Sequence, residues 1–250
     1  GLWRDLLVLE HLEREFRTQA KTAVFFLLAT EVHQRRPSDI YEMEASYKWP
    51  VAHREGMPDL SGGEAGFYAA VQEFNAKSKN IKVVFINQFG FEPKYCGSRM
   101  PEDMEFMDIR KGSDVEFGLS IYEPFGIAPF EPLTFGGICV VSNVSGCAGF
   151  LMEVTGGDGT RNVIIADYTD LGDNYYPDVG SLLHIDRPVR ERIEHNVSEK
   201  VAMQICSRLP KNEAEIENMI QTGHRVAPNI SCEAVGKNHL LKSLKKALNK

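Results

Sequence analysis

The sequence predicts an α/β fold, a Rossmann-like parallel sheet with helices on both faces and a helical C-terminal extension. Three observations lead there. Short apolar runs at Thr22–Thr30, Ile81–Ile86, Val115–Leu119, Ile138–Ser142 and Asn162–Tyr168 read as strands. Stretches of helical spacing lie between them, and after Tyr168 only helical patterns follow. Apolar strands that alternate with helices build a parallel sheet covered on both faces, because each strand must be re-entered through a crossover.

Each element has its own signal. In residues 2–17, Leu2, Leu6, Leu9, Leu12 and Phe16 recur at helical spacing with charges opposite, which predicts an amphipathic helix. Thr22–Thr30 is continuously apolar and rich in Val and Phe, as expected of a strand buried on both faces. Pro37–Ser61 contains three prolines and no sustained period, and it reads as the longest irregular stretch. Helical spacing returns from Gly63 to Asn80 through Phe67, Ala70, Val71 and Phe74. Short helices are expected at Pro101–Lys111 and Ile127–Thr134, and a helical turn at Ala148–Glu153. Three helices close the chain, near Asp186–Arg208, Asn212–Thr222 and Ser231–Asn249. No fixed-period repeat, low-complexity run or Gly/Ser linker divides the sequence. The expectation is one domain over residues 1–250, with 186–250 as its helical extension.

Composition narrows the function classes. The 250 residues are 43% hydrophobic and 25% charged. A chain of that size buries about three quarters of its unfolded surface and needs neither disulfide nor metal to hold a core. Twenty-eight basic against 35 acidic side chains give −7, which argues against a general nucleic-acid binder. Five cysteines without C-x-x-C spacing read as reduced thiols, and with no secretory signal the expected compartment is cytoplasmic. The longest apolar run is far short of the ~20 residues a membrane span requires, so no membrane span is expected. The chain opens on Gly1 rather than methionine, as a fragment of a longer protein would.

The informative stretch runs from Ser120 to Gly137, SIYEPFGIAPFEPLTFGG. It follows a predicted strand and enters a short helix just after Gly126, and in open parallel sheets ligands bind beyond the carboxyl ends of strands. Gly126 lets the backbone approach a ligand closely. The amides of Phe125, Gly126 and Ile127 are expected to be unpaired donors at the helix start, suited to phosphate or sugar oxygens. Glu123 lies in the loop and Glu131 is placed more than a turn into the helix, so the two carboxylates can reach opposite ends of one ligand.

Tyr122-Glu123-Pro124-Phe125-Gly126, with Glu131 eight positions after Glu123, resembles the E-x7-E signature of retaining glycosyltransferases of the GT-B fold. Glycogen and starch synthases carry that signature in their C-terminal, donor-binding domain. Gly112-x-Asp114 and the loop Ser142-Asn143-Val144-Ser145-Gly146 are similar to family segments before and after it. The first and last helices resemble the opening and closing helices of the donor domain. The likeness thins at Ser38–Ser61 and Gly172–Ser181. It implies that Glu131 bonds the ribose of a nucleotide-diphospho-sugar of the UDP- or ADP-glucose type. Glu123 would touch the transferred sugar as the catalytic residue, while Tyr122 reads either as a donor-binding residue against base or sugar or as a core residue. The amides of Phe125, Gly126 and Ile127 would hold sugar hydroxyls and diphosphate, with Ser145 and Gly146 also at the donor. No cofactor and no metal ion are implied. Positioning and stabilisation of the leaving diphosphate then do most of the catalysis, and Glu123 and Glu131 are not read as the acid and nucleophile of a glycosidase.

Two family features have no counterpart here. The Arg and Lys that clamp the diphosphate would fall before Gly1, as would the N-terminal domain that contacts a glycan or other acceptor. Arg4 is the nearest basic residue and reads as lying on an exposed helix face. Gly62-Gly63 and Gly156-Gly157-x-Gly159 read as turns or helix starts. No Walker motif, G-x-G-x-x-G or G-x-S-x-G is present. The seven histidines have no ligand spacing and read as surface or capping groups. Cys139 and Cys147 read as packing residues. The lysines of the last helix read first as a solvated face, and second as an interdomain surface of the kind the family forms there. A non-catalytic nucleotide-sugar-binding or partner-binding module is the competing reading. A GT-B phosphorylase or epimerase is a third.

Overall fold

In a computed structural model the structure describes residues 1–31, 35–47, 59–87, 92, 94, 100–156, 160–171 and 178–248. The fold is α/β, and every strand pairing among these residues is parallel. The residues group into two compact units, one of Leu9–Gly112 and one of Gly1–Val8 with Ser113–Lys250. Helix α1, Leu2–Gln19, contributes to both.

In the Leu9–Gly112 unit, β1 (Ala23–Leu28) pairs with β2 (Ile81–Ile86) in register Ala23↔Ile81 to Leu28↔Ile86. Helix α3, Gly62–Lys77, supplies the crossover and packs on β2. Asn75 of α3 fixes the contact, donating from Nδ2 to the Val83 carbonyl and accepting the Val83 N–H at Oδ1, each at 2.8 Å. Ile81, Val83, Phe85 and Leu27 face the core. The opposite face stays open: Val24 is 59% exposed, Phe26 49% and Val84 40%. The continuous apolar run therefore makes a strand buried on one face, not on both. Alternation along a strand decides which residues go inside, and among the described residues of this unit no element covers the second face.

The stretch expected to be irregular contains helix α2, Pro37–Ser46. Its proline sits in the first turn, where the missing N–H has no intrahelical partner to lose. Ile40 and Met43, three apart, are its buried contacts. The rest of Pro37–Ser61 lies largely outside the described residues, as do Gly157, Gly159, Cys96, His33, His53 and most of Gly172–Ser181. Gly62 and Gly63 open α3, with Ser61 and Glu64 forming a capping box. Glu64, accepting from the amides of Glu31 and Ser61, also ion-pairs with Arg35 at 2.8 Å. Arg35 is buried and donates further to Thr30 Oγ1 and to the carbonyls of Asn87 and Asp59. This buried network ties the carboxyl ends of β1 and β2 to the start of α3. A short helix α4, Phe106–Lys111, ends the unit; it starts later than the sequence suggested.

The second unit holds β3 (Val115–Gly118), β4 (Ile138–Ser142) and β5 (Val163–Ala166), ordered β3-β4-β5. The five strands thus fall into a pair and a triplet, not one continuous ladder. All five residues of β4 are buried, as a central parallel strand requires. The crossover from β3 to β4 is a 3-10 helix, Ala128–Phe135, where an ordinary helix was expected. Pro129 and Pro132 cannot donate to an α ladder, which favours the tighter winding. Helix α5, Gly146–Val154, follows β4. The core is built from Phe130, Leu133, Cys139, Val141, Cys147, Leu151 and Val163.

The C-terminal extension begins with α6, Val179–Leu183, and α7, Arg187–Arg208, which is capped by Asp186 and packs on β5. Helix α8, Glu213–Val226, lies on the 3-10 helix. There a Cβ on Gly223 would collide with the Leu133 carbonyl oxygen, so only glycine permits the approach. Asn162, buried, ties the layers by donating to the carbonyls of Gly136 at 2.9 Å and Gly137 at 3.2 Å. The last helical run joins α9 (Cys232–Val235), a π turn (Gly236–Leu240) and α10 (Leu241–Leu248). No helix of the described residues is long and apolar enough to cross a membrane.

Candidate functional site

The strand β3 ends at Gly118, and the chain then crosses the carboxyl edge of the sheet before the 3-10 helix begins at Ala128. Leu119 anchors this loop in the core. Beyond it the side chains turn outward: Ile121 is 52% exposed, Tyr122 86% and Ile127 61%. Tyr122 therefore lies outside the core.

Backbone pairing explains the loop's shape. The first two amides of α5 are spent on it, Gly146 N–H donating to the Glu123 carbonyl at 3.0 Å and Cys147 N–H to the Phe125 carbonyl at 2.7 Å. Glu123 and Ser145 form a parallel bridge. A Cβ on Gly146 would strike the Pro124 carbonyl oxygen and lie 2.9 Å from Phe125 Cα, so the loop can sit here only because position 146 is glycine. Gly126 has φ +79°, the left-handed region, and Ile127 returns to the right-handed helical region. Successive amides around such a reversal converge into a concavity that accepts anions. The pairing is one-sided. The carbonyls of Glu123 and Phe125 are consumed by α5, whereas the amides of Phe125, Gly126 and Ile127 have no acceptor among the described residues. The loop presents donors.

Glu123 is half-buried beside this concavity, and a Cβ on Gly126 would come within 2.8 Å of its Cγ. Glu131 is half-buried in the first turn of the 3-10 helix, closer to its start than the sequence reading placed it. The Ser145 hydroxyl donates to the Ser142 carbonyl at 2.7 Å, and the Gly146 amide serves Glu123. Both therefore hold the loop through bonds internal to the protein.

An aromatic cluster braces the loop from behind. The Phe125 ring meets Phe130 edge-on at 5.9 Å between centroids and Phe150 at 5.8 Å, while Phe130 and Phe150 are 6.1 Å apart. Phe150, on α5, also meets His239 of the last helical run at 6.2 Å. Sequence reading assigns no role to Phe150 and makes His239 only a surface or capping group, because neither lies in the motif and their meeting is a tertiary event. Asn143, named in the sequence only as part of the loop after β4, has a structural role that the sequence did not reveal. It accepts the Tyr168 N–H at 3.1 Å and donates to Asp167 and, at 2.9 Å, to Thr169 Oγ1, joining the loops that follow β4 and β5. Its position directly after a strand was the available signal.

Near the same sheet edge lies the first turn of α1. Arg4 is not on an exposed face: its side chain is 13% exposed, pairs with Glu194 at 2.5 Å and lies over the Tyr168 ring at 5.2 Å. Periodicity put Arg4 opposite the leucines, but Tyr168 and Glu194 cover that side too. Asp5 is buried, and burial pushes its carboxyl up to about 7 despite the opposing pull of the N-terminal amine and Arg4. The Tyr168 hydroxyl is buried without a hydrogen-bond partner among the described residues, and burial raises it above the usual phenol range.

Cys147 is fully buried, and burial, with Glu123 nearby, raises its thiol despite a hydrogen bond with Ser145. It stays protonated at neutral pH and packs in the core. Among the described residues no three His, Cys, Asp or Glu side chains converge as a metal site. In comparisons with known proteins, the chain matches no family model and no curated protein.

Proposed function

We propose that this chain is the donor-binding lobe of a retaining nucleotide-sugar glycosyltransferase, similar to glycogen synthase-like enzymes. The observation that carries the reading is the run of three amides, Phe125 to Ile127, that have no acceptor among the described residues, at the carboxyl edge of a parallel sheet, with Glu123 and Glu131 in the same loop and helix. The amides receive the diphosphate and the sugar hydroxyls. Glu123 faces the transferred hexosyl group, and Glu131 bonds the ribose. Stabilising charge on the departing diphosphate is the chief catalytic work of such a site, since donors fixed in advance need no reorganisation as charge develops. The substrate is a nucleoside-diphospho-hexose of the UDP- or ADP-glucose type, and the acceptor is a glycan or similar hydroxyl compound.

Calorimetric titration of the chain with UDP-glucose and ADP-glucose tests the reading. Binding of one donor is expected, weakened about 10- to 100-fold in Glu131→Ala, the usual cost of losing a hydrogen bond to a charged group. Equal affinities in the two proteins remove Glu131 from the ribose role. Failure of the unaltered chain to bind any nucleoside-diphospho-sugar overturns the proposal. Binding without transfer in the longer protein would leave a sensing module in place of an enzyme.

A further inference from the structure

We propose that the C-terminal helical run docks on an anionic lipid surface, laying its leucine face into the headgroup boundary. This stands apart from the nucleotide-sugar reading and does not depend on it. Residues 232–250 carry five lysines and one glutamate, whereas residues 1–231 sum to −11. The charge of the molecule is thus split, with one basic helix on an acidic body. After Glu233 no acidic residue follows. A helix that merely faces water gains from interleaving both signs at spacings of three and four; beyond the Glu233/Lys237 pair, the charged residues of 238–250 are lysines alone.

The two kinds of side chain are sorted around the axis. At about 100° per residue, Leu241, Leu244, Ala247 and Leu248 share one arc of roughly 120°, and Lys242, Lys245 and Lys246 share another. The leucines are exposed among the described residues: Leu240 is 58% exposed, Leu241 51%, Leu244 49% and Leu248 84%. A leucine stripe bordered by lysines is the pattern of a helix that lies in a membrane interface, its apolar face among acyl chains and its ammonium groups at phosphate level. The acidic body is repelled by the same surface, so the charge split also orients the molecule with this helix toward the lipid. The run is tied to the candidate loop through His239 against Phe150, which places the docked helix behind the Phe125 side of the loop.

The test is co-sedimentation of the full chain with vesicles of phosphatidylcholine alone and of phosphatidylcholine with 30% phosphatidylserine. Binding to the anionic vesicles is expected at least tenfold tighter than to the neutral ones. Each lysine replaced by glutamine should weaken it about fivefold, and Leu244→Ser/Leu248→Ser should abolish it. Helix content by circular dichroism and the urea midpoint of each variant report whether the fold is kept. Equal binding to both vesicle types, or none to either, overturns the proposal. So does a reversible dimer, seen by sedimentation equilibrium and lost in the leucine double variant, in a chain that leaves the vesicles unbound.

Discussion

Glu13 offers the sharpest test of how the Leu9–Gly112 unit is held. It projects from α1 into the turn that leads from α3 to β2. There it accepts the amides of Lys79 at 2.9 Å and Ile81 at 2.8 Å, the Asn80 amide at 3.0 Å, and the Ser78 hydroxyl at 2.8 Å. Burial alone would raise its carboxyl, but these donors outweigh burial and hold it down to about 2. A carboxyl at about 2 when folded and about 4.5 when unfolded stabilises the fold by about 3 kcal/mol at neutral pH. The sign follows from the depression: the contribution is complete above the unfolded value and is lost as pH falls through the folded one. It declines to about 1.5 kcal/mol at pH 3. Its partner Arg17 is 56% exposed and adds little. Glu13→Gln keeps the shape but sets an NH2 group against backbone donors. Urea unfolding of both proteins at pH 7 and pH 3 should show the variant losing about 3 kcal/mol at the higher pH and about half that at the lower. A loss equal at both pH values would refute the charge argument and leave only packing.

Three other perturbations follow from the same geometry. Gly146→Ala drives a methyl group into the Pro124 carbonyl and should lower stability by more than about 2 kcal/mol; unchanged melting in calorimetry would show that the loop is free to retreat. Asp5→Asn removes a carboxyl raised from 3.8 to about 7, whose ionisation makes folding less favourable as pH rises through that window. The variant should therefore gain stability over the parent at pH 8 and gain much less at pH 4, and a pH-independent difference in urea midpoint would contradict this. Arg35→Leu leaves Glu64 buried without its cation and should cost about 3–5 kcal/mol. Arg35→Leu/Glu64→Leu should recover part of the loss, and a double variant no better than the single one would show that the carboxylate is not what suffers.

Much of the fold was legible because it rests on local pattern. The five strands follow from short apolar runs and the long helices from their period, and the wholly buried β4 is what an unbroken Ile-Cys-Val-Val-Ser run predicts. The same composition misleads at β1. Ala-Val-Phe-Phe-Leu-Leu looks identical to a chain-local reading whether one face or two are covered, and only the arrangement of neighbours separates the cases. Helix α2 was hidden by its proline, which marks a break in mid-helix and a beginning in the first turn. Arg4 was misplaced for a related reason: periodicity names the face a residue occupies, and tertiary packing decides whether that face meets water.

The candidate site divides along the same line. Gly126 and its neighbours could be read as a donor-rich turn because a glycine between strand and helix is a local signal. What holds the loop around those amides is not local. They have no acceptor among the described residues, while Gly146 and Cys147 reach across from α5 and take the carbonyls of Glu123 and Phe125, which fixes the loop's backbone. Gly146 lets the two backbones meet, Ser145 sets the helix start by bonding Ser142, and Phe150 supports the Phe125 ring. Under the proposed function, Ser145 and Gly146 would therefore act on the donor through the loop they hold. A substitution at either should disturb the geometry of all three amides together, whereas a change at Glu131 should weaken one contact and leave the concavity intact.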